Sequence, residues 1–533
     1  MVVNAVLTPA KPLALWAPQT PVTYQLTATV GEDEINVTTA ARVFDWNASK
    51  AKLNGRTIEL QGFSHHPAFA GMGAMTTPRL ALFLVQTTKA LGQNFWRNSH
   101  NPYEDAVYEM LTALGIMNWD ENRQLGSDHV QEYHDMIKAH RSHAAVMLYG
   151  ICNERMCGIE NGEAARKFLE MKNSLDPERP QNGNHLRGQE YNFPHCDIIS
   201  ESGSSNLKAW HTDFPSKPIS TGEHGFGNNY LLDSRGQQDR ALLRLGLNVA
   251  STFNGRLTND GRGWGNLKPK QTLPILLSSH GLGQWAMMDY FGEAFEGWPT
   301  FIKSRGHLDV AGFPRSTAWW YRTNYLANMN VSMYQKPLMK GDDWKVQIRV
   351  MTPCQIFAST PKVRIVVDGT SLGVFNVSKD FGLVDLRIGS SHWPPPNRVD
   401  PATPCAVKLL AVSDQSAQCT LNDSFGCYDA EDGMYVEGGC RGVFECNGIN
   451  TTCECIGSQG FCLEKKNCTC NQLRCTAAVA SAQNVTAIAL DADGKAVGKA
   501  HSLIASNGAP TKLELVIDVP SKSTGTGSAL FLD

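Results

Sequence analysis

Two glutamates, Glu154 and Glu223, directly follow apolar runs and are the candidates for acid–base and nucleophilic chemistry. Glu154 comes after the run that starts at Ala144, and Glu223 comes after the run that ends at Thr221. If these runs are parallel strands, residues at their carboxyl ends meet at one edge of the sheet. Two facing carboxyls can cleave a glycosidic bond, one protonating the leaving oxygen while the other attacks the anomeric carbon.

Other polar residues follow neighbouring apolar runs and would share the same edge. This chemistry needs its two carboxyls in different protonation states, and Arg97 and His100 are the groups that could keep Glu223 ionised. Trp285 lies within the last strand candidate. The further residues at the predicted edge are His65, His66, Asn98, Ser99, Asp120, Glu121 and Asn153.

The elements that must position these residues alternate between strand and helix. Thr77 and Pro78 predict a helix start, an apolar helix continues over 80–91, and Gly92 ends it. Strand candidates are residues 58–63, 94–97, 116–119, 144–149, 196–200, 218–221 and 283–288. This alternation predicts an α/β fold in which residues 51–335 form a (β/α)8 TIM barrel.

The flanking regions carry β-strand patterns instead. Residues 22–30 alternate between apolar and polar, so residues 1–50 are interpreted as the remnant of a β-sandwich domain. Residues 336–533 are predicted to form an immunoglobulin-like β-sandwich, with Asp368-Gly369 and Asp493-Gly494 as hairpin turns and a further alternating strand over 513–519. Residues 405–475 interrupt this sandwich as a disulfide-rich insert.

Cysteine usage indicates the compartment. Eleven of the 15 cysteines lie between Cys405 and Cys475, a density typical of disulfide-stapled modules in oxidising compartments. Asn-x-Ser/Thr triplets from Asn36 to Asn484 agree with a glycoprotein of the secretory pathway or the extracellular space. Because no signal peptide is visible, we expect the mature protein to start upstream of Met1.

Several classes of function are disfavoured by the composition. A net charge of −3 with no long basic block argues against nucleic acid, and no apolar run approaches the length that membrane insertion needs. The glycine runs lack dinucleotide and P-loop spacing, and there is no His-Glu-x-x-His element. We therefore predict no cofactor and no structural metal, and we leave a homo-oligomer open.

The motifs around these residues resemble glycoside hydrolase family 2, the β-galactosidase and β-glucuronidase group. Residues 53–66 are similar to its first barrel strand, residues 96–102 (WRNSHNP) to its R-x-S-H-N-P element, and residues 119–123 to its third strand end. Residues 143–154 (HAAVMLYGICNE) resemble the acid/base segment and residues 217–223 (KPISTGE) the nucleophile segment. Residues 284–293 and 312–314 look like a signature of β-galactosidase-like members.

This resemblance implies a retaining exo-β-glycosidase whose substrate is a carbohydrate, most readily a β-galactoside. Glu154 would be the acid/base and Glu223 the nucleophile. The same resemblance implies a sugar-binding subsite made of Asn153, Arg97, His66, His100 and Trp285.

Some family features are absent. The family's supporting tyrosine is not found at residues 199–202, and no Glu-x-His metal element follows Glu121, so no magnesium site is transferred. β-Glucuronidase is a rival, disfavoured because no Asn-x-Lys element for reading a carboxylate is found, and β-mannosidase is another. A catalytically inactive carbohydrate-binding protein is the alternative from a different class.

Overall fold

The chain divides into two compact units. One contains residues 1–233, 244–344 and 509–533, and the other contains residues 234–243 and 345–508. The computed structural model describes residues 7–47, 50–58, 60, 62–158, 160–203, 207–223, 285–292, 302–303, 306–314, 318–319, 322–323, 346–348, 355–377, 383–385, 407–412, 419–421, 425–427, 433–436, 440–446, 449–454, 466–469 and 483–504.

The first unit contains both strands and helices. Its strands are β1 Tyr24–Val30, β2 Asp33–Thr39, β3 Phe44–Asn47, β4 Lys50–Leu53, β5 Arg56–Ile58, β6 Gly62–His65, β7 Phe95–Asn98, β8 Met117–Glu121, β9 Val146–Asn153, β10 Gln181–His185, β11 Ile199–Ser202, β12 Ile219–Glu223, β13 Tyr290–Phe291 and β14 Ile302–Lys303. Its helices are α1 Pro78–Ala90, α2 Asp105–Leu114, α3 Val130–His140, α4 Glu163–Leu175 and α5 Leu207–Asp213.

A seven-stranded parallel sheet organises this unit. Strands β6 to β12 pair in chain order, and helices separate most consecutive strands. The Met287 N–H donates to Ser64 O at 3.2 Å, so the segment from residue 285 lies beside β6, the first strand of the sheet. The described residues thus contain a seven-stranded parallel part of the predicted (β/α)8 barrel.

Local sequence signals set the boundaries of α1 and α2, and the predicted start of α1 is confirmed. Thr77 caps α1 by accepting a hydrogen bond from the Leu80 N–H, and Pro78 occupies the first turn. Helix α2 ends at Gly115, which adopts φ +74°, a conformation that costs glycine little. The apolar faces of these helices are buried against the sheet in one continuous core that includes Leu84 and Leu111.

Three parts of this unit differ from the strand candidates. Of the candidate 283–288, which includes Trp285, the described residues 285–288 form no strand, and Met288 makes only an isolated bridge to Leu308. The single strand expected over 58–63 is two strands, β5 and β6, which belong to different sheets. Strand β10 and helix α4 were not among the predicted elements. The strand reads Gln-Asn-Gly-Asn-His, a polar run without the apolar pattern of a buried strand, yet all five residues are buried.

The strand predicted over 22–30 is confirmed as β1. It forms an antiparallel hairpin with β2, but its alternating pattern does not produce alternating burial, since Val30 is 79% exposed. A three-stranded antiparallel sheet, β3-β4-β5, includes residues on both sides of residue 50, where the first domain was predicted to end. Among the described residues, no helix is both long and apolar enough to cross a bilayer.

The second unit consists of strands in its described residues. They are β15 Val346–Ile348, β16 Gln355–Ala358, β17 Lys362–Val367, β18 Thr370–Asn376, β19 Leu383–Asp385, β20 Val407–Val412, β21 Phe425–Cys427, β22 Gly433–Val436, β23 Arg441–Cys446, β24 Ile449–Glu454, β25 Lys466–Thr469, β26 Asn484–Leu490 and β27 His501–Ile504. Their pairings are antiparallel.

The hairpin predicted at Asp368-Gly369 is confirmed. Both residues have positive φ, +46° and +81°, as a tight two-residue turn between β17 and β18 requires. At Asp493-Gly494 the chain also turns, but only an isolated bridge pairs Leu490 with Ala496. The alternating strand expected over 513–519 lies outside the described residues.

The cysteine-rich stretch 405–475 contains strands β20 to β25. Within it, a disulfide joins Cys419 to Cys440. The immunoglobulin-like sandwich and the disulfide-rich insert both stay predictions.

Candidate active site

Glu223 is the last residue of β12, and its carboxylate is buried, with 3% of the residue exposed. Its Oε1 atom lies 2.8 Å from Arg97 Nη1 and 3.6 Å from His100 Nε2. Asn184 Nδ2 donates to the same Oε1 at 3.0 Å. Two hydrogen bonds, from Arg97 and Asn184, therefore hold one oxygen of this carboxylate.

Arg97, on β7, contacts side chains from several other strands of the sheet. Its guanidinium is fully buried and binds Glu121 in a bidentate pair, with distances of 2.7 Å and 2.8 Å. Arg97 Nη2 also donates to Asn153 Oδ1 at 2.9 Å. A buried arginine that satisfies two carboxylates and an amide at once is a rigid positioning group, because its donors point in fixed directions.

Glu154 has a different environment. It directly follows β9, is partly exposed, and adopts φ +47°, a left-handed conformation that is uncommon for a residue with a side chain. Ser202 Oγ donates to Glu154 Oε1 at 2.7 Å, and Gln189 Nε2 donates to the Glu154 carbonyl oxygen at 2.8 Å. The carboxyl thus contacts a neutral hydroxyl, whereas Glu223 contacts a cation.

An asparagine on β10 joins the two predicted glutamate segments. Asn184 Nδ2 donates to Asn153 Oδ1 at 2.7 Å as well as to Glu223. Its side chain passes so close to Gly222 that a Cβ there would lie 2.2 Å from Asn184 Oδ1. The glycine before Glu223 is therefore required by this close approach.

Four aromatic side chains form one wall of the site. The His100 ring is parallel to the Trp285 ring at a centroid distance of 5.1 Å, and the His66 ring stacks on Tyr290 at 4.3 Å. Trp285 Nε1 donates to the Tyr290 hydroxyl at 3.0 Å. Such a wall offers apolar ring faces with a few polar edges, which suits a sugar ring.

Burial and neighbouring charges shift the pKa values of these groups. Burial raises the pKa of Glu223, Arg97 and His100 lower it, and the charge of Glu154 raises it. Burial also raises the pKa of Glu121, to about 7, although Arg97 opposes this. Burial lowers the pKa of His66 to about 4, so this imidazole is neutral at pH 7.

The predicted residues Glu154, Glu223, Asn153, Arg97, His66, His100 and Trp285 are brought together in one site. Asn184, Ser202 and Tyr290 were not predicted as part of it. Tyr290 lies in the quoted motif 284–293 and Ser202 in the quoted stretch 199–202, so a signal for both was present. Asn184 had none, because the polar strand that carries it was not recognised.

Residues 45–132 match the family model described as "Glycosyl hydrolases family 2, TIM barrel domain". The match covers part of the predicted barrel and is to the family that the motifs resemble. The resemblance found in the motifs is thus confirmed at the level of the family.

Relatives of the chain carry more than one name. It is 26% identical to "Beta-galactosidase BoGH2A" of Bacteroides ovatus over 58% of this chain and 44% of that protein. It is 22% identical to human "Beta-glucuronidase" over 40% of this chain and 38% of that protein. The chain therefore spans less than half the length of these curated relatives.

A solved structure shows the same fold. A β-glucuronidase from Bacteroides uniformis superposes with a TM-score of 0.53 and 18% identity, over 70% of this chain and 48% of that chain. At this identity the likeness concerns the fold alone.

Among the described residues, one group of side chains has the types and spacing of metal ligands. It contains Cys152, Cys157 and His185, all buried. The two cysteines form a disulfide, so their sulfurs are not available as thiolate ligands.

Proposed function

We propose that the protein is a retaining exo-β-glycosidase that hydrolyses terminal β-linked sugars, with Glu154 as acid/base and Glu223 as nucleophile. The observation that carries this proposal is the pair of carboxyls at the ends of β9 and β12. One is buried beside Arg97, and the other is partly exposed beside a hydroxyl. Different environments for two carboxyls are what a division between acid and nucleophile requires.

The reaction follows in two steps. An oxygen of Glu223 attacks the anomeric carbon while Glu154 gives its proton to the leaving oxygen, so the glycosidic bond breaks and a glycosyl ester forms. Glu154 then takes a proton from water, whose oxygen attacks the anomeric carbon and releases Glu223. Because Oε1 of Glu223 is held by Arg97 and Asn184, we assign the attack to Oε2.

The surrounding residues are proposed to bind the sugar. Asn153 Oδ1 already accepts hydrogen bonds from Arg97 and Asn184, so its amide NH2 is the group that can donate to a sugar hydroxyl. His66, His100 and Trp285 supply the wall against which the ring packs.

We favour a β-galactoside as substrate. The motif at 284–293 and the relative named β-galactosidase support this choice. A β-glucuronidase is the second candidate, because relatives carry that name and because Arg123 places a cation near His66. Arg123 is exposed, its carbonyl oxygen accepts from the Asn153 N–H at 3.0 Å, and its charge lowers the pKa of His66, after burial. A sugar carboxylate could pair with it.

A panel of nitrophenyl β-glycosides tests the substrate. We expect the β-galactoside to be hydrolysed fastest, and a dominant rate on the glucuronide or the mannoside would replace our choice by that sugar. Replacing Arg123 with Gln should reduce a glucuronide rate selectively if Arg123 reads the carboxylate, and should change the galactoside rate little.

Trapping tests the mechanism. A 2-deoxy-2-fluoro β-galactoside should label Glu223, which peptide mass mapping would locate. Label on another residue would overturn the assignment. If the parent protein hydrolyses nothing, while parent and Glu223→Gln bind galactose equally, the catalytically inactive binding protein is the better account.

We also propose a secretory or extracellular location. The two disulfides of the described residues support an oxidising environment.

A further inference from the structure

A disulfide encloses the acid/base residue. It joins Cys152, the next-to-last residue of β9, to Cys157, the last residue of the short 3₁₀ segment Glu154–Cys157, at a sequence separation of 5. Both cysteines are fully buried. The covalent ring thus contains Asn153 and Glu154, the two residues that would face the sugar from this strand.

The enclosed segment is short and combines an uncommon backbone conformation with exposed residues. It is a single 3₁₀ turn, and Glu154 adopts the left-handed φ of +47°. Arg155 and Met156, between Glu154 and Cys157, are exposed. Side-chain hydrogen bonds reach the segment from Gln189, Asn192 and Ser202, and Arg97 and Asn184 donate to Asn153. Two backbone bonds also hold it, from the Asn153 N–H to the Arg123 carbonyl and from the Leu125 N–H to the Met156 carbonyl.

One end of the disulfide also packs against the strand that supports the nucleophile. Cys157 Sγ lies 3.5 Å from the backbone oxygen of Asn184. The side chain of Asn184 donates to both Asn153 and Glu223. The bond is therefore next to the group that connects both halves of the site, although it contacts neither carboxyl.

We propose that the Cys152–Cys157 disulfide is a positioning element for Glu154, required for efficient proton donation to the leaving group. This inference rests on the proposed function. Reduction by a dithiol breaks the S–S bond; the reductant supplies two electrons and two protons, becomes a disulfide itself and leaves two cysteine thiols. The segment then loses its covalent closure, and Glu154 leaves its productive orientation.

The dependence on leaving group separates positioning of the acid from general damage. A 2,4-dinitrophenolate leaves without protonation, whereas an unsubstituted phenolate needs the proton from Glu154. In Cys152→Ala/Cys157→Ala, we expect kcat/KM for phenyl β-galactoside to fall about 10²-fold, in line with the loss of general acid catalysis. For 2,4-dinitrophenyl β-galactoside, kcat/KM should be nearly unchanged, because it reports bond cleavage alone.

The second half of the reaction gives an independent readout. Hydrolysis of the glycosyl ester needs Glu154 as base, so kcat for the dinitrophenyl substrate should fall in the variant. Added azide, a nucleophile that needs no base, should restore it. Equal kcat/KM ratios for the two substrates in variant and parent would overturn the proposal. If the parent cleaves neither galactoside, the proposed function fails instead.

The second described disulfide supplies a matched control. Cys419→Ala/Cys440→Ala should have the same ratio of kcat/KM values for the phenyl and 2,4-dinitrophenyl galactosides as the parent. If the Cys152/Cys157 variant does not fold, the parent is titrated with dithiothreitol while peptide mapping follows each bond. The kcat/KM for phenyl β-galactoside, divided by that for the 2,4-dinitrophenyl substrate, should then fall in step with reduction of the 152–157 bond. A constant ratio after complete reduction of that bond would refute the inference.

Discussion

Arg97 Nη1 lies 2.8 Å from Glu223 Oε1, inside a site where both side chains are almost completely excluded from water. The same guanidinium uses its other nitrogens to bind Glu121. Two buried carboxylates therefore depend on a single cation. Removing one partner of such a group leaves an uncompensated charge, which is more costly than the pair is stabilising.

Replacing Arg97 with Lys should inactivate the protein while keeping the charge. An ammonium group cannot bind Glu121 in a bidentate pair and also reach Glu223, so the carboxylate loses its fixed orientation. We expect kcat/KM for nitrophenyl β-galactoside to fall by about 10²- to 10³-fold.

The control is Arg166→Lys, because Arg166 forms exposed pairs with Glu163 and Glu170. It should keep the parent's kcat/KM, and thermal unfolding should show both variants folded. Full activity in a folded Arg97→Lys protein would contradict the role given to Arg97.

The pH profile should report the charge of Glu154 on Glu223. Glu223 must be ionised to attack, and its pKa is raised by burial and, in part, by Glu154. The acid limb of kcat/KM on 2,4-dinitrophenyl β-galactoside should therefore lie above the ordinary carboxyl range. In Glu154→Gln a negative neighbour disappears, the pKa of Glu223 falls, and the limb moves to lower pH.

The opposite charge change gives the opposite shift. Arg97→Gln removes a cation that lowers the pKa of Glu223, so the acid limb should move to higher pH. A limb that stays in place in both variants would show that the titrating group is not Glu223.

Local signals mark helix boundaries in the barrel, although helix α4 was not predicted. Thr77, Pro78 and Gly115 act where the chain enters or leaves a helix, and their effect depends on a few adjacent backbone groups. The two glutamates were predicted to meet for a different reason. A parallel sheet places the carboxyl ends of its strands at one edge. The motif resemblance then separated Glu154 and Glu223 from the other polar residues at that edge.

The supporting network was not accessible in the same way. Strand β10 is polar, and its burial depends on partners from other strands, such as Asn153 and Glu223 for Asn184. No period in the sequence reports such pairing. Strand β1 shows the opposite mismatch: its sequence alternates between apolar and polar residues, but its burial does not alternate.

Asn184 should affect activity more than its neighbour on the same strand. Asn184 Nδ2 binds Glu223, whereas Asn182 Nδ2 donates to Ser200 Oγ at 2.9 Å. We expect Asn184→Ala to lower kcat/KM by about 10- to 10²-fold, since a hydrogen bond to a charged group contributes about 1.5–3 kcal/mol. Asn182→Ala should lower the unfolding free energy with a smaller effect on kcat/KM. Equal kinetic losses in both variants would contradict a specific role for Asn184.

A second buried pair, between His140 and Asp120, should contribute to stability in a pH-dependent way. His140 Nδ1 lies 2.7 Å from Asp120 Oδ2, while Tyr108 and Asn98 donate to Oδ1. Burial lowers the pKa of His140, but Asp120 more than compensates, so the pKa is raised. Replacing His140 with Phe keeps a ring against Tyr108 and leaves Oδ2 without its partner, which should cost about 2–4 kcal/mol.

The pH dependence distinguishes an ion pair from packing. Since the pKa of His140 is higher in the folded than in the unfolded chain, its contribution is complete below the unfolded value of about 6.5 and is lost as pH rises through the folded value. The difference in unfolding free energy between parent and His140→Phe, measured by urea denaturation, should therefore shrink with rising pH. His129→Phe, which removes a more exposed pair with Glu132, should change stability by less than about 1 kcal/mol. A His140 difference that stays constant across this range would indicate that the imidazole stabilises the fold through packing alone.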